Sequence, residues 1–355
     1  SSSMPSYCSD CIINISTGVT LTLNNSSQCY NCTFTGGTLK ITSGFAFSSS
    51  SISNTTINAS TSFNMWNSNS LDNVTLNMTS GSLAPGPITI NNSTLNFTGS
   101  TSFTINGAST ISNSNFSFAN SSKLTSNGTM TTSNSNFGFA NSADMVSNGT
   151  MNLDNTDFTF SGSGSLTAGP ISATGSTLTF NDTFSFTSNG QIDLDGSFLY
   201  LNKNSHLLAN SAVNLKNGSK LVVGDGSKTS GAYLYSNSSV NLKDASSDVI
   251  LSNTSNYFYS WNGFTTPGQT YSTVVSNNPK FMGSAVFSST GILPITILPV
   301  TIGNFAGIEN NQHVKLSWTL ADASGRESMQ IERSNNAGHF NPITSVAVAG
   351  SNAGY

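Results

Sequence analysis

The sequence has very little charge. Of its 355 residues only 7% are Asp, Glu, Lys or Arg, against about a quarter in an ordinary globular domain. No glutamate precedes Glu309 and no arginine precedes Arg326. The 11 Lys and Arg residues are spread along the chain. They form no basic patch that could neutralise phosphates, so we expect no nucleic-acid partner.

Long apolar runs are also missing. The longest, GILPITILPV at 291–300, contains two prolines and is about half of what a bilayer-spanning helix needs. We therefore expect no transmembrane segment. Disorder is not favoured either, since disordered chains are poor in aromatics and strongly charged, whereas this one has 22 Phe and a net charge of only -4.

Short uncharged polar residues dominate instead. The chain has 66 Ser, 42 Thr and 46 Asn, which together exceed two-fifths of all positions. They occur in an internal repeat: SNSNFSFAN at 112–120 returns as SNSNFGFAN at 133–141, 21 residues later. A fixed period of this length indicates a stacked repeat architecture.

The repeat extends through columns of residues spaced 20 or 21 apart. The apolar columns are Phe116, Phe137, Phe158, Leu178, Phe198; Phe97, Phe118, Phe139, Phe160, Phe180, Tyr200; Leu83, Phe103, Leu124, Met145, Leu166, Phe186, Leu207; and Ile90, Ile111, Thr132, Leu153, Ala173, Leu194, Leu215. A glycine column runs Gly86, Gly107, Gly128, Gly149, Gly169, Gly190. After Leu215 the step lengthens to 27, from Val213 to Val240, which predicts a longer loop around Gly224–Gly231.

Within each repeat the apolar residues alternate, as in Phe116 and Phe118, and Asn, Gly and Ser turn residues separate them. This is strand periodicity. The sequence thus predicts an all-β fold: a right-handed parallel β-helix over 1–262, with coils of about 20–21 residues and inward apolar columns. A connecting segment follows at 263–296. The column Asn92, Asn113, Asn134, Asn155 predicts amides hydrogen bonded to each other from coil to coil.

Four cysteines lie at the start of the chain. Cys8-x2-Cys11 and Cys29-x2-Cys32 have the spacing of a zinc ribbon. The pairs are also one coil apart, which would place Cys8 over Cys29 and Cys11 over Cys32 at a separation that suits disulfides. Between these alternatives we expect two structural inter-coil disulfides that protect the first coils, with no metal or other cofactor. Disulfides indicate an extracytoplasmic location.

The composition changes near Leu293. All three glutamates and both arginines follow it. Val314–Trp318 and Met329–Arg333 alternate like strands of an immunoglobulin or fibronectin-like sandwich. Together with Leu298-Pro-Val-Thr301, Ile331-Glu-Arg-Ser334 and Gly338-x-Phe340-x-x-Ile343, this segment closely resembles the fibronectin-like module that precedes the sorting domain in secreted Bacteroidota proteins of the type IX secretion system.

The resemblance covers about sixty residues and predicts the first part of a fibronectin-like domain at 297–355. It implies export through the type IX machinery of the outer membrane to the cell surface or the medium. Ala323-Ser-Gly-Arg-Glu327 replaces the family's usual Asn-Asn, which alters a loop. The chain stops at Tyr355, before the module's later strands. Either the chain is truncated, which we expect, or a neighbour's strand completes the sandwich.

Catalytic groups are sparse in the repeat. The best carboxylates are Asp144, Asp154, Asp157, Asp182, Asp193 and Asp195. Asp193 and Asp195 alternate around Leu194 and would face outward together, as a catalytic or calcium pair or, as we expect, as solubilising charges. His206 has no acidic sequence neighbour, and we expect a surface residue. Tyr257, Tyr259 and Trp261 are either a cap over the last coil or a glycan-contact patch.

The sequence therefore predicts an exported, non-enzymatic structural protein or adhesin with a β-helix stalk, extracellular or attached to the cell surface. The alternative is a carbohydrate-binding or polysaccharide-degrading β-helix protein. Surface glycans or other copies of the chain are the further candidate partners.

Overall fold

The computed structural model describes residues 7–23, 28–225, 231–244, 246–251, 256–260, 264–265, 301–310, 313–321, 328–333 and 341–347. The chain divides into two compact units, Ser1–Pro294 and Ile295–Tyr355. All regular structure in the described residues is β-strand. The strands of the first unit, from Tyr7 to Thr265, form a parallel β-solenoid, which confirms the predicted β-helix architecture.

Three parallel sheets, here called A, B and C, form the solenoid, and each coil contributes one strand to each sheet in turn. Sheet A contains β1 (Tyr7–Ser9), β4 (Gln28–Tyr30), β7 (Ala46–Ser48), β10 (Phe63–Trp66), β13 (Ser82–Pro85), β16 (Ser102–Ile105), β19 (Lys123–Ser126), β22 (Asp144–Ser147), β25 (Ser165–Ala168), β28 (Ser185–Ser188), β31 (His206–Ala209), β34 (Tyr233–Ser236) and β37 (Tyr257–Ser260). Sheet B contains β2 (Ile12–Asn14), β5 (Thr33–Thr35), β8 (Ser51–Ser53), β11 (Asn69–Asp72), β14 (Ile88–Asn91), β17 (Ser109–Ser112), β20 (Met130–Ser133), β23 (Met151–Asp154), β26 (Ile171–Thr174), β29 (Ile192–Asp195), β32 (Val213–Lys216), β35 (Val240–Leu242) and β38 (Phe264–Thr265). Sheet C contains β3 (Thr20–Leu23), β6 (Thr38–Ile41), β9 (Thr56–Ala59), β12 (Thr75–Met78), β15 (Thr94–Phe97), β18 (Asn115–Phe118), β21 (Asn136–Phe139), β24 (Asp157–Phe160), β27 (Thr177–Phe180), β30 (Phe198–Leu201), β33 (Lys220–Val223) and β36 (Asp248–Leu251).

The solenoid strands have three or four residues, except β38 with two, because the chain turns a corner of the coil after each strand. Alternate residues face inward, and the same position of each coil stacks on the last. Phe118, Phe139, Phe160 and Phe180 form one such inward stack, with successive ring centroids 4.6 to 4.8 Å apart. This distance matches the strand spacing of about 4.8 Å, so the core is continuous from coil to coil.

The register confirms the predicted Leu83 and Ile90 columns step by step. It also confirms the 27-residue step, since Val213 pairs with Val240. Part of the predicted loop, 226–230, lies outside the described residues.

The register corrects one step. Leu178 pairs with Leu199 and Phe180 with Leu201, so these leucines are buried, whereas Phe198 and Tyr200 lie on the outer face. The predicted membership of Phe198 and Tyr200 in the core columns is therefore wrong by one residue. All four residues of β30 are apolar, so alternation alone could not fix the face that turns inward.

A buried column of hydroxyls stabilises the corner before sheet C. Its members are Ser93, Ser114, Ser135, Thr156, Ser176, Ser197 and Ser219, all at most 2% exposed. The Ser114 hydroxyl, for example, accepts a hydrogen bond from the Ser93 backbone N–H at 3.0 Å and donates to the Ser112 carbonyl at 2.7 Å. Since each buried hydroxyl is satisfied, the column carries little desolvation cost.

The predicted amide ladder lies in other columns than expected. Asn92, Asn113, Asn134 and Asn155 have positive φ values of 45 to 49° and form the tight corner, a conformation that Asn tolerates. The Asn92 and Asn113 amides donate to Asp72 and Asn91 rather than to one another. Amide ladders run instead on outer strand positions, as from Asn96 to Asn77 and from Asn77 to Asn58, each at 2.9 Å.

The second unit contains two antiparallel hairpins. Strand β39 (Thr301–Asn310) pairs with β40 (His313–Ala321), and β41 (Ser328–Arg333) pairs with β42 (Asn341–Ala347). The predicted strands at Val314–Trp318 and Met329–Arg333 lie within β40 and β41. The fibronectin-like assignment of this unit stays a prediction.

Candidate functional surfaces of the solenoid

The four cysteines meet at the corner between sheets A and B in the first two coils. Cys8 and Cys29 face inward on β1 and β4 and are paired in register. Cys11 and Cys32 follow three residues later, just before β2 and β5. Cys29 and Cys32 are fully buried, and Phe47 of the third coil covers Cys29 in register.

A disulfide joins Cys8 to Cys11 within one coil, with the Cα atoms 6.3 Å apart, and Cys29 and Cys32 are free thiols. The inter-coil pairing of Cys8 with Cys29 and of Cys11 with Cys32 is thus corrected. The physical reason is the corner at Asp10, which has positive φ and holds Cys8 and Cys11 at bonding distance within one coil.

The Cys29 thiol is held in the protonated form. Burial raises the pKa of Cys29 to about 12, and the neighbouring Cys32 adds to the shift. The Cys32 thiol donates to the carbonyls of Tyr30 and Cys8, at 3.3 and 3.6 Å. A buried thiol with a raised pKa is a poor nucleophile, so this corner is suited to structure rather than to thiol catalysis.

The zinc alternative has partial geometric support. The sulfurs of Cys8, Cys29 and Cys32 all lie within 4.8 Å of one another, and thiolates are preferred zinc ligands. Cys8 is bonded to Cys11, however, so a four-thiolate site requires that this bond is reduced first. The oxidised corner therefore does not fit zinc.

The carboxylates of Asp193 and Asp195 lie on the outer face of β29, as alternation predicts. They line a groove of about 690 Å³ on sheet B. The Asp193 carboxylate accepts hydrogen bonds from Gln191 at 2.7 and 2.8 Å and from Asn214 at 2.7 Å. Its oxygens are thus largely occupied by protein amides.

Asp195 is similarly engaged. It accepts from the Asn217 amide at 2.5 Å and pairs with the Lys216 ammonium at 3.0 Å. These contacts, with the Asn217 hydrogen bond first, lower the pKa of Asp195. A carboxylate held ionised can stabilise charge but is a weak proton donor at neutral pH, so Asp195 lacks the raised pKa that a general acid needs.

Aromatic side chains lie on the outer face of sheet A toward its last strands. His206 and Tyr233 stack with ring centroids 4.8 Å apart and planes at 8°. Burial lowers the pKa of His206 and so favours the neutral imidazole. The β37 backbone places Tyr257 and Tyr259 in register with Tyr233 and Tyr235. The side chains of Tyr257 and Tyr259, and all of Trp261, lie outside the described residues, so their cap or glycan role stays a prediction.

Among the described residues, no helix has the length and apolarity needed to cross a bilayer. No protein-family model matches the chain, and neither a curated protein nor a solved structure matches it.

Proposed function

We propose that the protein is an exported, non-enzymatic structural protein or adhesin whose β-solenoid acts as a stalk at the cell surface. The main observation in support is the unbroken parallel register of three sheets, two with 13 strands and one with 12. Backbone hydrogen bonds between coils run along the stacking direction. A force that pulls the solenoid lengthwise is therefore shared by the many hydrogen bonds between neighbouring coils.

The outer faces support a structural role. Many of their polar side chains bond to the equivalent residue of the next coil, as Asn148 does to Asn127 at 2.8 Å and Asn127 to Asn106 at 3.1 Å. Such side chains reinforce the stack. The low charge of the chain is consistent with a surface that is not specialised to hold ionic substrates.

Export is supported by the resemblance of 297–355 to the module that precedes type IX sorting domains, and by the disulfide at Cys8 and Cys11, since disulfides persist in oxidising compartments. The partner in this proposal is the type IX machinery of the outer membrane.

Immunogold labelling of intact cells with an antibody against the solenoid tests this role. We expect label on the surface of unpermeabilised cells, and retention in the periplasm when the type IX translocon is inactivated. Label that appears only after permeabilisation would overturn the proposal. Release of reducing sugar from polysaccharides by the purified chain would favour the enzyme alternative instead.

A further inference from the structure

Sheet A has a notch on its outer face at the third coil. The outward residues of β7 are Ala46 and Ser48, which are only 6% and 9% exposed. The strands on either side carry larger outward residues. The notch is defined by Gln28, Tyr30, Ala46, Ser48, Asn64 and Trp66, and is called the coil-3 notch below.

The register fixes the shape of the coil-3 notch. Gln28, Ala46 and Asn64 are paired across three successive strands, and Tyr30, Ser48 and Trp66 are paired beside them. Neighbouring strands lie about 4.8 Å apart, so the walls on β4 and β10 are about 10 Å apart at the backbone. Ala46 and Ser48 form the floor.

Part of this notch is a cavity of about 280 Å³, whose lining includes Gln28, Gly44, Ala46, Ser62, Asn64 and Trp66 but not Tyr30 or Ser48. Its volume is just below the range of ligand pockets, which span about 300 to 1,000 Å³. None of these residues is charged. Trp66 and Tyr30 are 45% and 46% exposed, and large aromatic side chains on the surface are a common mark of binding sites.

The amides of the notch differ from those elsewhere on the solenoid. Outward asparagines such as Asn77 bond to the amides of adjacent coils. Asn64, in contrast, lies in register between Ala46 and Ala84, which have no polar side-chain atom. Gln28 lies between Tyr7 and Ala46. Within the described part of the chain, neither amide side chain has a hydrogen-bond partner, so both can bond to a ligand.

We propose that the coil-3 notch binds a neutral sugar ring of a glycan. Aromatic ring faces are electron-rich and attract polarised C–H groups such as those on the face of a pyranose. Amides both donate and accept, which matches sugar hydroxyls. The absence of charge in the lining favours neutral over acidic sugars. The inference deepens the proposed adhesin role, on which its biological meaning rests, by naming the ligand class.

Fluorescence titration of the full chain tests the proposal. The probes are the soluble tetrasaccharides of β-1,4-glucose, β-1,4-mannose, β-1,4-galactose and β-1,4-N-acetylglucosamine. We expect at least one to shift tryptophan emission saturably. The chain has three Trp. Loss of the emission shift in Trp66→Phe would assign the shift to Trp66. Calorimetry with Trp66→Ala should show about a tenfold loss of affinity, the effect of one aromatic stacking contact.

Ala46→Gln provides an independent variant. It fills the floor with a side chain of the same kind as its neighbour Gln28 and removes no aromatic, so we expect a folded protein that no longer binds the sugar. Tyr233→Ala is the matched control, since Tyr233 is an exposed aromatic on the same sheet. It should bind as the unaltered chain does. Circular dichroism and thermal melting verify the fold of each variant.

The proposal is overturned if none of the four tetrasaccharides binds, or if binding survives both Trp66→Ala and Ala46→Gln. Loss of binding in Tyr233→Ala alone would transfer the sugar site to the far end of sheet A and also overturn it. None of these outcomes bears on surface location, which immunogold labelling decides separately.

Discussion

Cys29 lies directly over Cys8 in the register of sheet A, yet the disulfide joins Cys8 to Cys11 in the same coil. By loop-closure entropy a bond across three residues contributes about 2 kcal/mol, against about 3 kcal/mol for one that closes a whole coil. The bond therefore stabilises the corner of the first coil and leaves the contact between the first two coils to hydrogen bonds and packing.

This pairing predicts a specific peptide map. Cleavage after Leu21 or Leu23 in the unreduced protein should separate the segment with Cys8 and Cys11 from the segment with Cys29 and Cys32. Mass spectrometry should find the first segment lighter than its reduced form by the mass of two hydrogen atoms. Segments that stay joined until reductant is added would contradict the intra-coil bond and restore the inter-coil one.

Stability should fall at alkaline pH because of Cys29. Its pKa in the folded chain, about 12, is above the ordinary value of 9.0. The folded state therefore holds this proton more tightly than the unfolded state. The contribution is fully present below about pH 9 and is lost as the pH rises from 9 toward 12. Melting temperatures measured from pH 7 to 11 should decline less steeply in Cys29→Ala. Parallel curves for the two proteins would show that Cys29 is not responsible.

The inward phenylalanine stack should dominate the stability of the central coils. Phe139 is 1% exposed and lies between Phe118 and Phe160, with centroids at 4.8 and 4.6 Å. Phe139→Ala should lower the free energy of unfolding by about 3 to 5 kcal/mol. Thr159→Ala, on the outer face of the neighbouring strand, should change it by less than about 0.5 kcal/mol. Urea denaturation measures both, and similar losses would mean that the core does not depend on this stack.

Asn134 tests the left-handed corner. Its φ is 46°, so Asn134→Ala should cost about 1 to 2 kcal/mol. Asn134→Gly should be tolerated, because Gly175 and Gly196 occupy the same column in later coils with φ of 57 and 56°. Thermal unfolding of the two variants compares them directly. If glycine were as costly as alanine, the asparagine would act through its side chain rather than its backbone.

Much of the solenoid could be predicted because every coil requires the same types of residue at the same positions. The Leu83 and Ile90 columns hold their order since one apolar residue per coil must fill the same place in the core. Three features, the Phe198 step, the cysteine pairing and the coil-3 notch, were not predicted for identifiable reasons. The Phe198 step was wrong because β30 is apolar throughout. In the structure, the hydroxyl of the preceding Ser197 is buried and accepts a hydrogen bond from the Ser176 backbone N–H.

The cysteine pairing was not predicted because Cys8 has two partners within bonding reach, Cys29 in the stacked coil and Cys11 across the turn. The sequence spacing does not show which of the two forms the disulfide. The coil-3 notch was not predicted because it arises from the small side chains of Ala46 and Ser48 and not from a sequence motif. Its signal is present once the coils are aligned: Ala46 and Ser48 stand where neighbouring coils have Gln28 and Tyr30, or Asn64 and Trp66.

Coil length varies while strand pairing does not. Thr38 pairs with Thr56 after 18 residues, Asn115 with Asn136 after 21, and His206 with Tyr233 after 27. Extra residues are accommodated at the corners, and the strands remain in step. A whole coil can thus be copied or deleted in the gene without disturbing its neighbours, as the near-identical segments 112–120 and 133–141 suggest. Each added coil lengthens the solenoid by about 4.8 Å. Evolution can therefore change the length of the solenoid in steps of one coil.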